Sequence, residues 1–321
     1  MEKIDRYLGS LQGLAVGDAL GTTLEFAEPG TFTPITDMVG GGPFSLRPGE
    51  WTDDTSMALC LAESLVEKNG FDPQDQMERY VRWWKEGHLS HSGNCFDIGN
   101  TTRKALSQFE ITQDSFSGSS DSFAAGNGSI MRLAPVPMFY AREPELAIMK
   151  SAESSRTTHG ANEAIDACKY LAAIIAGAIN GATKDELLSE RYCPIDDYWK
   201  NNPLTPSIDE IAMGSFKRKD PPDIKGTGYV VKSLEAALWA FNKGKTFEEG
   251  CLLAVNLGDD ADTTGAVYGQ IAGAYFGKQG IPERWLTNLA WRPTILDLAH
   301  RLFDSSKKWR PRPDSNWRSQ P

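Results

Sequence analysis

An all-α, single-domain protein is what this sequence of 321 residues predicts, on three observations. Apolar residues recur at helical spacing in several segments. Small residues step by four through an apolar stretch near the N-terminus. No stretch alternates apolar and polar residues well enough to read as a strand.

Taken in order along the chain, Gly9, Gly13, Gly17 and Gly21 come first, with Leu8, Leu11, Leu14 and Ala15 keeping an apolar face between them. Glycine inside a helix costs about 1 kcal/mol relative to alanine, so this stripe predicts close approach of another helix or a ligand. After Asp54, the residues Met57, Cys60, Leu61, Ser64 and Leu65 share one helix face, and Thr52, Asp53 and Asp54 stand where capping residues belong. Asp72-Pro73 opens another helix, with Met77, Tyr80, Val81 and Trp84 as its stripe and Gly87 as its stop. Arg132 to Tyr140 comes nearest to a strand, but Pro135 and Pro137 exclude a central one. Ala161 to Ile179 becomes apolar all round in its second half, which predicts a buried central helix. Cys193 to Gly228 carries several prolines and few periodic positions, so it is expected as a long surface excursion. Val231, Leu234, Leu238 and Phe241 resume the helical pattern, with Gly244 beyond. The periodic segments amount to about ten or more helices, all within residues 1–306. Residues 307–321 hold five basic residues against Asp314 and three prolines, and are expected to be a disordered basic tail.

Composition narrows the function. The formal charge is −10, from 33 Lys and Arg against 43 Asp and Glu. An acidic chain does not present a broad nucleic-acid surface, although a local pocket can still take a phosphate-bearing ligand. The longest apolar or small run, Tyr170 to Ile179, is too short to span a bilayer, and no secretory signal opens the chain. The five cysteines are widely spaced and never form a CxxC pair, so they read as reduced thiols of a cytoplasmic protein.

The informative residues are polar groups at helix starts. One cluster is Glu50-Trp51-Thr52-Asp53-Asp54-Thr55; a second is Gly258-Asp259-Asp260-Ala261-Asp262-Thr263-Thr264-Gly265. Both offer carboxylates and hydroxyls and neither holds histidine or cysteine. Such an all-oxygen set suits a hard cation, Mg2+ or Mn2+, and two converging clusters would suit a two-metal site with a bridging carboxylate. The competing reading is a pair of helix caps. Three acidic residues in the four positions 259–262 exceed what capping uses. Asp97, between Phe96 and Ile98, sits before a helix expected near Thr101; it is either a cap or a carboxylate whose apolar setting suits acid–base work. Gly126-Asn127-Gly128-Ser129-Ile130-Met131-Arg132 can point backbone N–H groups at an anion such as a diphosphate, or be an ordinary turn. His159, after Thr157-Thr158, is most simply a cap or a packed side chain.

These pieces together resemble the ADP-ribosylglycohydrolase family. The matching segments are Gly13-Leu14-Ala15-Val16-Gly17-Asp18-Ala19-Leu20-Gly21 with Glu25, Trp51-Thr52-Asp53-Asp54-Thr55, and Asp97-Ile98-Gly99-Asn100-Thr101. They continue with Gly126 to Arg132, Thr158-His159, Gly228-Tyr229-Val230-Val231, and Asp260-Ala261-Asp262-Thr263. The ordered set spans most of residues 5–300. The resemblance implies an all-α fold with two Mg2+ or Mn2+ ions, and an enzyme that removes ADP-ribose from modified protein side chains. It implies Thr52, Asp53 and Asp54 on one metal, Asp260, Asp262 and Thr263 on the other, and Asp262 as the bridge. It implies that Gly126, Asn127, Gly128 and Ser129 hold the diphosphate, that Met131 and Asn100 also bind substrate, and that His159 contacts ribose or phosphate. Asp97 and Asn100 match the arginine-directed bacterial branch, whereas Glu25 matches the serine-directed one. The expected partners are therefore an ADP-ribosylated protein as substrate and ADP-ribose as product, with arginine linkage favoured by Asp97. The alternatives are hydrolysis of O-linked ADP-ribose, on serine or as O-acetyl-ADP-ribose, and a non-catalytic ADP-ribose-binding protein.

The expected chemistry is coherent in its own right. A ribosyl carbon leaving nitrogen or oxygen develops oxocarbenium character, metals that hold its hydroxyls orient the sugar, and a carboxylate can assist departure.

Overall fold

The computed structural model describes residues 1–310, and within them fifteen α-helices form. They are α1 (Lys3–Gly21), α2 (Asp53–Lys68), α3 (Pro73–Glu86), α4 (Asn100–Thr112), α5 (Pro135–Phe139), α6 (Pro144–Arg156), α7 (Asn162–Asn180), α8 (Lys184–Leu187), α9 (Tyr198–Asn201), α10 (Pro206–Ala212), α11 (Val230–Lys243), α12 (Phe247–Val255), α13 (Ala261–Phe276), α14 (Glu283–Asn288) and α15 (Arg292–Lys308). Among the described residues, pairing outside helices is limited to isolated bridges such as Gly126–Tyr229. No helix among them is long and apolar enough to cross a membrane.

The glycine stripe of α1 meets a second stripe on α13. Gly9 faces Gly273, Gly13 faces Gly269, Gly17 faces Gly265, and Gly21 faces Ala261, so the two helices run antiparallel with backbones in contact. A Cβ on Gly17 would be driven into the carbonyl oxygen of Gly265, and one on Gly265 into that of Gly17. The close approach predicted from the stripe is therefore to another helix. It also sets the site: this register lays the start of α13, with its carboxylates, beside the end of α1. Alanine is the better helix former by about 1 kcal/mol, yet overpacking a backbone contact costs about 1–3 kcal/mol or more. Gly17→Ala is thus expected to lower stability by about 2 kcal/mol net or more, measured by chemical unfolding. An unchanged or raised stability would show that the two backbones can part without loss.

Elsewhere the helical reading holds, with local corrections. Helix α2 buries Met57, Cys60, Leu61, Ser64 and Leu65 as expected, and the second half of α7 is buried on every side. On α3, Asp72 accepts from the Asp75 N–H and Gly87 closes the helix in a left-handed conformation. The buried face of that helix is Met77, Tyr80 and Trp83, however; Val81 and Trp84 are only half-buried. Arg132 to Tyr140 contains the short helix α5, opened by Pro135.

The expected surface excursion at Cys193–Gly228 is overturned. Trp199, Ile208, Ile211, Phe216 and Ile224 are buried. Trp199 packs edge-on against Tyr170 of α7, and Thr205 N–H donates to Asp166 on the same helix at 2.6 Å. Helices of four to seven residues are too short to display a 3.6-residue period, which is why the sequence pattern missed them. At the C-terminus α15 runs on through Lys308, so Lys307 and Lys308 close a helix; residues 311–321 of the expected tail lie outside the described residues.

Candidate active site

A cavity of about 310 Å³ opens where α2, α4 and α13 begin. Both acidic clusters reach it. Thr263 Oγ1 lies 3.5 Å from Asp54 Oδ2, and Thr52 Oγ1 lies 3.4 Å from both Asp54 Oδ2 and Asp262 Oδ2. Residues some two hundred positions apart thus share one wall. The capping alternative fails here: Thr52 and Asp260, at the N-caps of α2 and α13, make no side-chain capping bond, and the N-cap of α4 is Gly99, not Asp97. The amino ends of α2 and α13 do favour negative charge through their dipoles.

Behind this wall stands Asp18, a residue the sequence reading left without a role. It is fully buried in α1 and accepts from the backbone N–H and the hydroxyl of both Thr52 and Thr55, at 2.6–3.0 Å. Burial pushes its carboxyl up to about 6 against those four hydrogen bonds. Asp18 ties the end of α1 to the start of α2. Its signal in the sequence was a lone carboxylate inside a stripe of glycine and apolar residues, which demands buried partners.

Asp97 enters from the loop before α4 with φ of 59°, a left-handed conformation uncommon outside glycine. An aromatic relay holds this loop: Phe96 packs edge-on against Phe44 and His91, and His91 against Trp51. Glu25, just past the end of α1, reaches the same point. Glu25, Asp97 and Asp262 each present an oxygen within 4.8 Å of the others, a set that can hold a metal ion. The electrostatics follow from crowding. Burial, then repulsion from Asp97 and Asp260, pushes the Glu25 carboxyl up to about 9; burial, then Asp18 and Asp260, pushes Asp97 to about 7. Burial and the neighbouring carboxylates also raise Asp53, Asp54 and Asp262 well above the usual range. No lysine or arginine lines the cavity among the described residues.

The opposite wall is the glycine-rich loop. Gly126, Asn127, Gly128 and Met131 line the cavity, with His159 beneath. Gln270 of α13 anchors the following turn, donating to the Ile130 and Met131 carbonyls and accepting from Ala134 N–H. Buried Arg132 donates to the Gly128 carbonyl and to Thr158 Oγ1 at 2.6 Å each. His159 makes no cap, since Ala161 holds that position for α7. Its ring lies under Gly128, where a Cβ would come 2.7 Å from Cε1, and burial keeps it uncharged by lowering it to about 3. Two residues stand apart from their expected roles. The Asn127 amide donates to Asp260 Oδ2 at 2.7 Å, joining the acidic wall. The Ser129 side chain turns into the core, accepting from the Ser155 hydroxyl at 2.9 Å. Asn100, the first residue of α4, is exposed at the rim.

The profile of the ADP-ribosylglycohydrolase family matches residues 1–312 of this sequence. The chain belongs to the ADP-ribosylglycohydrolase family. It is 45% identical over 303 residues to the ADP-ribosylarginine hydrolase Tri1 of Pseudomonas putida, covering 94% of this chain and 79% of that protein. It is 31% identical to the ADP-ribosyl-[dinitrogen reductase] glycohydrolase of Rhodospirillum rubrum, covering 89% of this chain and 90% of that one. A solved structure described as an ADP-ribosylglycohydrolase-related protein complex superposes with a TM-score of 0.84 at 46% identity, covering 95% of this chain and 99% of that chain. This ADP-ribosylglycohydrolase is therefore a hydrolase, built on the all-α fold expected from its periodicity. Beyond the expected site residues, its cavity is also lined by Phe26, Thr101, Thr102, Gly228 and Asp259.

Proposed function

We propose that this hydrolase releases ADP-ribose from arginine side chains, using two divalent cations, Mg2+ or Mn2+. The observation that carries the reading is the convergence of two oxygen-only helix starts and Asp97 on one cavity whose far wall is a glycine-rich loop. The donor set fits such cations. Asp54 Oδ1 and Glu25 Oε2 are buried with no hydrogen-bond partner, and the carboxylates crowd together with no cationic side chain in the cavity lining among the described residues. Thr52, Asp53 and Asp54 would serve one ion, Asp260, Asp262 and Thr263 the other, with Asp262 serving both. When bound, these ions supply the positive charge that offsets the carboxylates and orients the hydroxyl groups of the ribose.

The chain's own residues then divide the work. The backbone N–H groups of Gly128 and Ser129, which find no acceptor among the described residues, receive the diphosphate, on a surface kept open by the absence of Cβ atoms above His159. The adjoining groove shares Thr101, Gly126 and Gly228 and offers the rings of Phe123 and Tyr229 to the rest of the nucleotide. Asp97 acts beside the scissile bond, moving a proton at the departing nitrogen as the ribosyl carbon gains positive character. Three thiols, Cys60, Cys168 and Cys251, are buried and all five are free, which supports a reducing, cytoplasmic setting.

The test is release of ADP-ribose from arginine-linked and serine-linked peptides side by side. Chelation by EDTA is expected to abolish release, Mg2+ or Mn2+ to restore it, and the arginine linkage to be cleaved at least about tenfold faster, or about 1.4 kcal/mol in barrier. Full activity after chelation would remove the metals from the reading. A tenfold preference for serine would favour the O-linked reading, in which Glu25 takes the leading role, and binding without turnover would favour a binding protein.

A further inference from the structure

Two residues at the cavity rim are held in a left-handed backbone conformation. Phe26 has φ of 59° and Asp259 has φ of 57°. A left-handed non-glycine residue is strained and persists only where its surroundings impose it. Here they impose it on both residues at once. Phe26 N–H donates to the Asp259 carbonyl at 2.6 Å, and Asp259 N–H donates to the Ala27 carbonyl at 2.8 Å. Gly258, also left-handed, lies against the Phe32 ring, so the segment after α1 and the turn before α13 form one locked corner.

What the corner presents is unusual for a structural joint. The Phe26 side chain is 68% exposed, although it lines the cavity and a buried position would gain apolar free energy. Asp259 lines the same cavity, and its carboxylate has no hydrogen-bond or ion-pair partner among the described residues. An aromatic face beside an unpartnered carboxylate recognises a planar cation: the ring takes its face and the carboxylate its N–H edge.

We infer that Phe26 and Asp259 form a guanidinium-reading corner that selects ADP-ribosylated arginine over other linkages. This rests on the arginine reading proposed above and adds the residues that would make the choice. ADP-ribose itself carries no guanidinium. The corner therefore contributes to binding of the intact substrate and nothing to binding of ADP-ribose, and its contribution is made before the transition state.

The test uses the full-length enzyme loaded with Mn2+, an ADP-ribosylated arginine peptide, and free ADP-ribose. Asp259→Asn removes the charge while keeping a residue type that tolerates the left-handed region; Phe26→Leu removes the ring and Phe26→Tyr restores it. Asp259→Asn and Phe26→Leu are each expected to raise KM for the arginine peptide about tenfold, with kcat within about twofold, and with unchanged ADP-ribose Kd and bound Mn2+. Phe26→Tyr is expected to keep the wild-type KM. An unchanged KM in both variants would overturn the inference while leaving the arginine reading standing. A Kd for ADP-ribose that rises in step with KM would also overturn it, because the corner would then only shape the pocket. Failure of the wild-type enzyme to cleave the arginine peptide, while cleaving a serine-linked one, would remove the arginine reading and the inference together.

Discussion

Replacing Asp262 by alanine is expected to reduce turnover by about a thousandfold or more, some 4 kcal/mol in barrier, and to remove most of the bound metal. Asp262 is buried at the first turn of α13, where it lies against Thr52 across the two clusters and within reach of Glu25 and Asp97. In the proposed two-ion site, removing a carboxylate that serves both ions would release both, whereas Asp53→Ala would take a ligand from one. Folding offers a control. Burial and repulsion from Glu25, Asp54 and Asp260 work against the Asp262 charge in the metal-free protein. The metal-free variant should therefore be no less stable than the metal-free wild type. Metal content by elemental analysis, kcat, and thermal unfolding after chelation give the three readings. A loss no greater than that of Asp53→Ala would end the bridging role, and a collapse of the metal-free fold would show that Asp262 acts structurally.

Asp97→Asn is expected to lower kcat about a hundredfold or more, the scale of acid–base catalysis, while bound metal and ADP-ribose affinity stay near wild type. The side chain sits on a loop clamped by Phe44, Phe96 and His91 and does not cap α4, so asparagine preserves the shape and tolerates the left-handed backbone. What the variant loses is a carboxylate that can hold and release a proton, a group that burial, then crowding by Asp18 and Asp260, has already moved toward neutrality in the metal-free site. Single-turnover kinetics with the arginine-linked peptide, alongside calorimetry with ADP-ribose, separate chemistry from binding. Near-normal kcat would assign the proton transfer elsewhere, with Glu25 as the next residue to test.

Much of this molecule was legible in the sequence because its signals are local. Helical periodicity, N1 prolines and terminal glycines follow from backbone geometry within one or two turns, and they yielded α2, α3, α7 and α11 nearly as they stand. The acidic clusters were legible for a similar reason: oxygen donors packed beyond what a cap can use point to a cation wherever the chain runs. The glycine stripe announced a close contact, although not its partner.

The remaining features depend on residues distant in sequence, and only packing decides them. The antiparallel register of Gly17 on Gly265 brings residue 262 to residue 25, and no window of sequence contains both. Asp18 becomes the anchor of Thr52 and Thr55 only once α1 lies behind α2. Within one motif, Gly128 faces the cavity while Ser129 faces Ser155 and Asn127 turns to Asp260, a choice made by Gln270 and Arg132 holding the loop. The short helices of 193–228 found their burial against α7 without any periodicity of their own. By itself, then, the sequence determined which side chains were available and which segments would be helices. The tertiary structure decided which carboxylates meet, because mutual distance is set by the one helix packing that the glycines allow.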